Sequence, residues 1–270
     1  MALPRTYLFV PGDRPERYAK ALASAADAVV IDLEDAVLPA AKPAAREQIA
    51  QFLATAPAAE LERVVIRIND EATPWFEGDL AMLALRGVAA LMLPKAECAE
   101  TVLRVRGACP QAAVLALVES ARGVLAAEAL AAAPGVQRLV FGTVDFALDL
   151  DLSSDPLGLD YASSRLALAS RAAGIAPPVA GVTTAIDDEA LLLSELARAR
   201  AHGFSAKLCI HPRQIAAIHA ALAPSEAELG WARRVVQAAA GGAGAVQLDG
   251  RLIDKPVIER ARRILERAAT

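Results

Sequence analysis

Glu119 and Asp145 stand at the ends of two successive apolar stretches, 113–119 and 139–145, of a 270-residue chain. Two protein carboxylates, completed by waters and substrate oxygens, are the usual way to hold Mg²⁺, which keeps open positions and can polarise a carbonyl or hydroxyl. The same positions suit helix N-caps, since Glu119 precedes Ser120 and Asp145 lies near a turn. Arg67 lies inside Val64-Val65-Ile66-Arg67-Ile68-Asn69. A cation within an apolar strand is costly unless paired. Its planar fork can bind a carboxylate or a developing oxyanion, and Glu34 or Asp35 would serve equally as a structural partner. Asp32-Leu33-Glu34-Asp35 crowds three carboxylates around one tip, with Asp32 and Glu34 on one side of the strand. Such crowding needs cations nearby or raises a pKa, and Arg67, Lys95 and a metal are the available charges. Asp35 also suits a cap. Lys95, in Leu93-Pro94-Lys95, could bind substrate or form a Schiff base, although the carboxylates favour metal chemistry. His211, before Pro212, reads more readily as a structural hydrogen-bonder than as a catalyst. Gly12-Asp13-Arg14 offers a glycine turn and a basic side chain. No GxGxxG, phosphate-binding loop or Ser/His/Asp motif is present.

The elements that must position these residues are eight apolar runs, at 7–12, 28–35, 64–69, 90–95, 113–119, 139–145, 179–184 and 206–211. A strand buried on both faces reads as a continuous apolar run rather than an alternation. Helix-like stretches separate the runs, so parallel βαβ units are expected. Eight of them imply a (β/α)₈ TIM barrel, whose active site lies at the C-terminal tips of the strands; a doubly wound sheet is the alternative. Helix 162–173 should stop at Gly174, and Asp187 or Asp188 should cap a helix that ends at Gly203.

After His211-Pro212 the rhythm changes. Residues 212–222 read as the eighth barrel helix. Ser225-Glu226-Ala227-Glu228 fits a capping box opening a helix over 227–240. Gly241-Gly242-Ala243-Gly244 reads as a hinge, followed by a short apolar piece, Asp249-Gly250 and a last helix from Lys255. That helix places Val257, Ile258, Ala261, Ile264 and Leu265 on one face. The expected organisation is a catalytic barrel over residues 1–222. A C-terminal helical extension or lid over 223–270 would pack on its own barrel or on a neighbouring subunit.

Bulk properties narrow the function classes. The apolar share of 55%, much of it alanine, suits a large single core. Net charge is −4 with the signs interspersed, and no basic block or aromatic ladder points to nucleic acid. No stretch reaches about 18 uninterrupted apolar residues, so no membrane span is expected. No charged start leads into a long apolar block, so no signal peptide is expected and a cytoplasmic protein is the default. Cys98, Cys109 and Cys209 lack metal-ligand spacing and read as structural thiols.

Taken together, Arg5-Thr6-Tyr7-Leu8-Phe9-Val10-Pro11-Gly12, Asp32-Leu33-Glu34-Asp35-Ala36-Val37, Val65-Ile66-Arg67-Ile68-Asn69 and Leu93-Pro94-Lys95-Ala96-Glu97 form an ordered series. It continues with Leu117-Val118-Glu119-Ser120, Gly142-Thr143-Val144-Asp145-Phe146, His211-Pro212-Arg213-Gln214 and Asp249-Gly250-Arg251-Leu252-Ile253-Asp254-Lys255-Pro256. The series resembles the citrate lyase beta-subunit-like branch of the HpcH/HpaI aldolase family over nearly the whole chain. The resemblance implies an Mg²⁺-dependent carbon–carbon lyase acting on a citramalyl-, malyl- or citryl-type CoA thioester. It implies Mg²⁺ on Glu119 and Asp145, and Arg67 on the reacting oxygens. Backbone N–H groups of Gly142, Thr143, Val144 and Asp145 would hold the keto-acid carboxylate, with Glu34 and Asp35 among the substrate-binding residues. Asp249 would be the acid/base, delivered from the same or a neighbouring subunit of a trimer or hexamer; Asp254 is next in line should Asp249 not carry that role. Arg14 and Lys42 are candidates for the CoA phosphates. Val144 departs from the family, which often carries a polar residue before the metal aspartate. Two alternatives go with this expectation: a malyl-CoA-type thioesterase, and a citrate lyase beta subunit that accepts only an acyl-carrier-protein thioester.

Overall fold

The eight runs become the eight strands of a closed parallel barrel: β1 (Thr6–Pro11), β2 (Ala28–Asp32), β3 (Val64–Arg67), β4 (Ala90–Leu93), β5 (Ala113–Val118), β6 (Val136–Phe141), β7 (Ala176–Ala180) and β8 (Ala206–Cys209). The computed structural model describes residues 3–153, 156–240, 246–248 and 250–268. Each strand pairs with the next in sequence, and β8 returns to β1 through Leu8↔Cys209. Closure rules out the doubly wound sheet, which keeps two free edges. By Cα proximity the chain divides into two compact units, Pro4–Ile218 and Met1–Leu3 with His219–Thr270.

Side-chain alternation decides what reaches the mouth. Tyr7, Ala28, Val30, Val65, Met92, Leu115, Leu117, Val140, Val179, Ala206 and Leu208 fill the barrel. Counting on by two from Val30, Val65 and Leu117 puts Asp32, Arg67 and Glu119 on the same inward set, one layer above the core. Val29, Ile31 and Ile66, on the other parity, are fully buried without belonging to that interior set. The strands are apolar on both faces for this reason, and the polar residues begin where the core stops.

One run ends earlier than expected. β6 stops at Phe141, Gly142 breaks the extended geometry, and a short helix Thr143–Asp149 begins. Asp145 therefore sits in a helical first turn rather than on a strand. The β6–β7 ladder skips between Arg138 and Val140, where β7 carries Pro177 and Pro178, which have no N–H to give.

Arg138 closes the lower end of the barrel. It is 1% exposed. Its guanidinium donates to Pro177 O at 2.8 Å, Pro4 O at 2.7 Å, Ser205 Oγ at 2.6 Å and Tyr7 Oη at 3.3 Å. One buried cation thus ties β6 to β7, to the segment before β1 and to the segment before β8.

Helix ends follow their sequence signals. Asp188 accepts from Leu191 N to open the helix Glu189–Ala201, and Gly174 and Gly203 take positive φ after their helices. In the second unit Ser225 and Glu228 form both halves of a capping box at the head of helix Glu226–Ala239. The apolar piece after residue 245 is one arm of a hairpin, β9 (Val246–Leu248) antiparallel to β10 (Arg251–Ile253). Helix Lys255–Ala268 packs Ala261 and Ile264 with Leu229, Ala232, Val235 and Ile253. Asp254 accepts from Val257 N at 3.3 Å and so caps that helix. No helix among the described residues is long and apolar enough to cross a membrane.

Replacing Arg138 by Met leaves buried carbonyls without donors. The expected cost is about 2–4 kcal/mol, a Tm lower by roughly 5–10 °C in a thermal melt. An unchanged Tm would show that the barrel closes without it.

Candidate functional site

Arg67 is the centre of the mouth. Its Nε and Nη2 donate to Asp32 Oδ1 and Oδ2 at 2.6 and 2.7 Å, a bidentate pair in which Arg67 is 8% and Asp32 1% exposed. Nη1 lies 2.8 Å from Glu34 Oε2 and donates to Asp35 Oδ2 at 3.3 Å. Phe9 of β1 offers its ring 4.9 Å from the guanidinium carbon. Burial alone would lower the arginine's pKa, but Asp32, Glu34 and Asp35 raise it, so the group stays charged.

Asp32 also shapes the loop that follows it. Its Oδ1 accepts from Glu34 N at 2.8 Å and its Oδ2 from Ala36 N at 2.9 Å. All its strong acceptor directions are used, as a buried carboxylate requires. The loop is held from the other side by Lys42, whose ammonium donates to Leu33 O, Glu34 O and Asn69 Oδ1 at 2.8, 2.9 and 2.6 Å. Lys42 is 5% exposed, and three donors meet three acceptors inside the fold. That is a tie between the β2 and β3 tips, and it leaves no donor for the phosphate contact expected of Lys42. Arg14, by contrast, has a half-exposed side chain 3.8 Å from Asp13.

Glu34 keeps an unsatisfied oxygen. Oε2 is buried and finds no hydrogen-bond partner, because the nearby Arg67 Nη1 approaches off the donor direction. Burial, partly offset by Arg67 and reinforced by Asp35, Glu119 and Asp32, pushes its pKa up to about 8.

On the opposite side Glu119 caps no helix: Ser120 does that, accepting from Gly123 N at 3.1 Å. Glu119 is buried, and its Oε1 accepts from Lys95 N at 2.8 Å. Lys95 adopts φ 43°, a left-handed turn that aims its N–H at the carboxylate. Burial, opposed by that hydrogen bond and reinforced by Asp145, pushes the Glu119 pKa up to about 7. The Lys95 ammonium lies 3.5 Å from Asp70. Desolvation lowers its pKa, but Glu34, Asp70 and Glu119 raise it above the ordinary value. A Schiff-base lysine needs the opposite shift.

Gly142 makes room for Glu119. A Cβ there would stand 2.6 Å from both Cβ and Oε2 of the glutamate. The first bond of the following helix runs from Phe146 N to Gly142 O at 3.0 Å. The N–H groups of Thr143, Val144 and Asp145 therefore precede the helical ladder. Asp145 is half-buried on this turn, and the Val144 side chain is 50% exposed.

The barrel tips thus bring Asp32, Glu34, Asp35, Arg67, Lys95, Glu119 and Asp145 into one electrostatic neighbourhood. His211 stands apart in role: its Nδ1 accepts from Arg213 N at 3.2 Å at the head of helix Arg213–Leu222. Asp249 lies outside the described residues. Phe9, Asp70 and the Lys95 backbone carry no signal of this site in the sequence, apart from the polar step Asn69-Asp70 after the third run. Among the described residues no group of three or more His, Cys, Asp or Glu side chains is arranged to hold a metal. Asp145 is near enough to Glu119 for its charge to help raise the Glu119 pKa.

Residues 5–212 match the family model HpcH/HpaI aldolase/citrate lyase, and residues 166–270 match a C–C bond lyase of the TIM-barrel fold. A citrate lyase subunit beta-like protein of Deinococcus radiodurans is 36% identical over 99% of this chain and 98% of its own length. A (3S)-malyl-CoA thioesterase of Cereibacter sphaeroides is 34% identical over 98% and 94%. The crystal structure of CitE from Mycobacterium tuberculosis in complex with magnesium, acetoacetate and coenzyme A superposes with TM-score 0.88 at 39% identity, covering 100% of this chain and 99% of that one.

The two raised carboxyl groups make stability depend on pH. Between the ordinary value near 4.5 and the folded values of about 7 and 8, the folded state holds protons that the unfolded state has released. Stability contributed by these groups is present below pH 4.5 and is lost as pH rises through 7 and 8. With chelator present, Tm should fall between pH 5 and pH 8.5, and Glu34→Gln should flatten that slope. An equal slope in the variant would remove Glu34 as its source.

Proposed function

The chain belongs to the HpcH/HpaI aldolase/citrate lyase family, and on that premise we propose an Mg²⁺-dependent lyase that cleaves a citramalyl-, malyl- or citryl-type CoA thioester into acetyl-CoA and a keto acid. The observation that carries this is the single mouth where a charged Arg67 faces Glu119 and the free first turn of helix Thr143–Asp149.

Mg²⁺ fits the donor set. Glu119 and Asp145 offer hard oxygen ligands, and burial raises the Glu119 pKa, a cost that a bound cation would relieve. Held there, Mg²⁺ would polarise the hydroxyl and carboxylate oxygens of the hydroxyacid portion.

The chain's own groups account for the rest of the chemistry. The N–H groups of Thr143, Val144 and Asp145 point out of a helix start and suit the keto-acid carboxylate. Val144 takes part through its backbone alone. A guanidinium has five N–H bonds; Asp32 takes two and Asp35 one. The remaining two are available to the reacting oxygens, and the ion pair with Asp32 keeps them from turning away. Cleavage releases an enolate, so negative charge develops on oxygen in the transition state. A fixed, buried cation is worth most at that moment. Glu34 and Asp35 border the substrate beside Arg67. The hydroxyl loses its proton to Asp249 as the C–C bond breaks and the keto acid forms, and Asp249 returns that proton to the enolate carbon, from this copy or from a neighbour in a trimer or hexamer. Arg14, at the tip of β1, is the candidate contact for a CoA phosphate.

A thioesterase has one specific point in its favour, the relative of that name at 34% identity. The same mouth could direct water at a malyl-type thioester. A panel of citramalyl-, malyl- and citryl-CoA with Mg²⁺ separates the two. Acetyl-CoA with a keto acid is expected, whereas malate with free CoA would replace the lyase by the hydrolase. Turnover of carrier-protein thioesters alone would replace CoA as the carrier.

Glu119→Gln and Asp145→Asn should each lower Mg²⁺-dependent kcat by about 10²-fold or more. They should also abolish any rise in Tm on adding Mg²⁺, and unchanged values would remove the metal assignment. Asp249→Asn should retain thioester KM and lose about 10²-fold or more in kcat; a wild-type rate would move the acid/base elsewhere.

A further inference from the structure

Lys207 lies on β8 and is 2% exposed, yet the proposed chemistry does not use it. Ala206 and Leu208 belong to the barrel interior, so Lys207 stands on the outward parity, between the barrel and helix Glu189–Ala201. Its ammonium donates to Gly181 O at 2.8 Å and lies 3.5 Å from Glu195 Oε2. Glu195 in turn accepts from Thr183 Oγ1. Gln214 completes the arrangement. Its Nε2 donates to Thr183 O at 3.0 Å, while its Oε1 accepts from Ile210 N at 3.0 Å and His211 N at 3.4 Å. The turn 181–183 after β7 is thus held by two buried side chains, one on β8 and one just beyond it.

That turn backs the proposed keto-acid site. A Cβ on Gly181 would overlap Thr143 Oγ1, reach 2.8 Å from Phe141 O and 3.1 Å from Thr143 Cγ2. The bare backbone of Gly181 is therefore the wall against which the first residue of helix Thr143–Asp149 rests. A buried lysine is an expensive way to hold one carbonyl. Apolar residues of similar volume commonly replace buried charges without loss of stability. The ammonium is better explained by where it fixes Gly181 than by what it adds to the core.

We propose that Lys207 is a positioning residue for keto-acid recognition: by holding the Gly181 carbonyl it keeps that backbone against Thr143 and sets the N–H groups of the following turn for a carboxylate. The proposal rests on the role given above to that turn. Lys207 does not touch substrate, so its effect should be confined to one of two substrates.

The test is the condensation direction, with acetyl-CoA and either pyruvate or glyoxylate, in the Mg²⁺-loaded full chain. Lys207→Met should raise KM for the keto acid roughly tenfold while KM for acetyl-CoA stays within about twofold. Gly181→Ala, which pushes on Thr143 directly, should show the same split and decides the matter if Lys207→Met fails to fold. An unmoved keto-acid KM in folded variants, or an equal rise in both KM values, would overturn the positioning role while leaving the lyase intact. If the wild type neither condenses nor, by calorimetry with Mg²⁺, binds pyruvate or glyoxylate, the lyase and the positioning role fall together.

Discussion

The buried ion pair between Arg67 and Asp32 is the interaction on which the mouth depends. Neither charge could stay in that layer alone, because an unpaired ion there would cost more than most folds can spare. Paired, they use each other's geometry fully, a planar fork against two oxygens at 2.6 and 2.7 Å. Asp32 then spends its remaining lone pairs on the N–H groups of Glu34 and Ala36. One side chain thereby orients the arginine and folds the acidic loop around it. Glu34 and Asp35 face Arg67 because the backbone between them is anchored to the residue Arg67 already holds.

The other half of the mouth is built by different means. Glu119 is placed by strand alternation, then held by a single backbone N–H from a left-handed Lys95. Gly142 yields the volume that the glutamate occupies. In this half burial raises the Glu119 pKa well above the ordinary carboxyl value. The mouth is therefore asymmetric: a bidentate ion pair fixes β2 and β3, with Glu34 Oε2 left unsatisfied beside it, and a buried carboxyl held by one backbone N–H stands at β5. The asymmetry suits a reaction in which one side anchors a cationic ligand and the other meets developing negative charge.

Buried cations recur as ties for backbone carbonyls. Lys42 gathers Leu33 and Glu34, Arg138 gathers Pro4 and Pro177, and Lys207 takes Gly181. Pro4, Leu33, Glu34 and Gly181 lie just outside strands, where loops leave carbonyls that no ladder satisfies, and Pro177 lies beside the skip in the β6–β7 ladder. A charged donor is a stronger partner for such a carbonyl than a neutral one. Rigid strand ends follow, and with them fixed distances across the mouth.

Much of this was legible in the residues alone. Continuous apolar runs announce strands buried on both faces, and eight of them in βαβ order leave few topologies other than the closed barrel. The capping box at Ser225 and Glu228 and the glycine stops at Gly174 and Gly203 are local chemistry, so sequence suffices for them. A charge inside the third apolar run marked Arg67, and the polar residues closing the second and fifth marked the acidic loop and Glu119, because alternation carries parity past the end of a strand. What tertiary structure decided was which partner each charge would meet. Lys42 reads as a surface cation able to reach a phosphate, and only the approach of β2 to β3 consumes its three donors. Asp145 reads as a strand tip, and only the break at Gly142 puts it on a helical turn. Lys207 and Gly181 carry no signal at all, since their meaning lies in a contact with Thr143 across strands. Local propensity and periodicity are properties of neighbours in sequence. Charge pairing and close approach are properties of neighbours in space, and only closing the barrel chooses them.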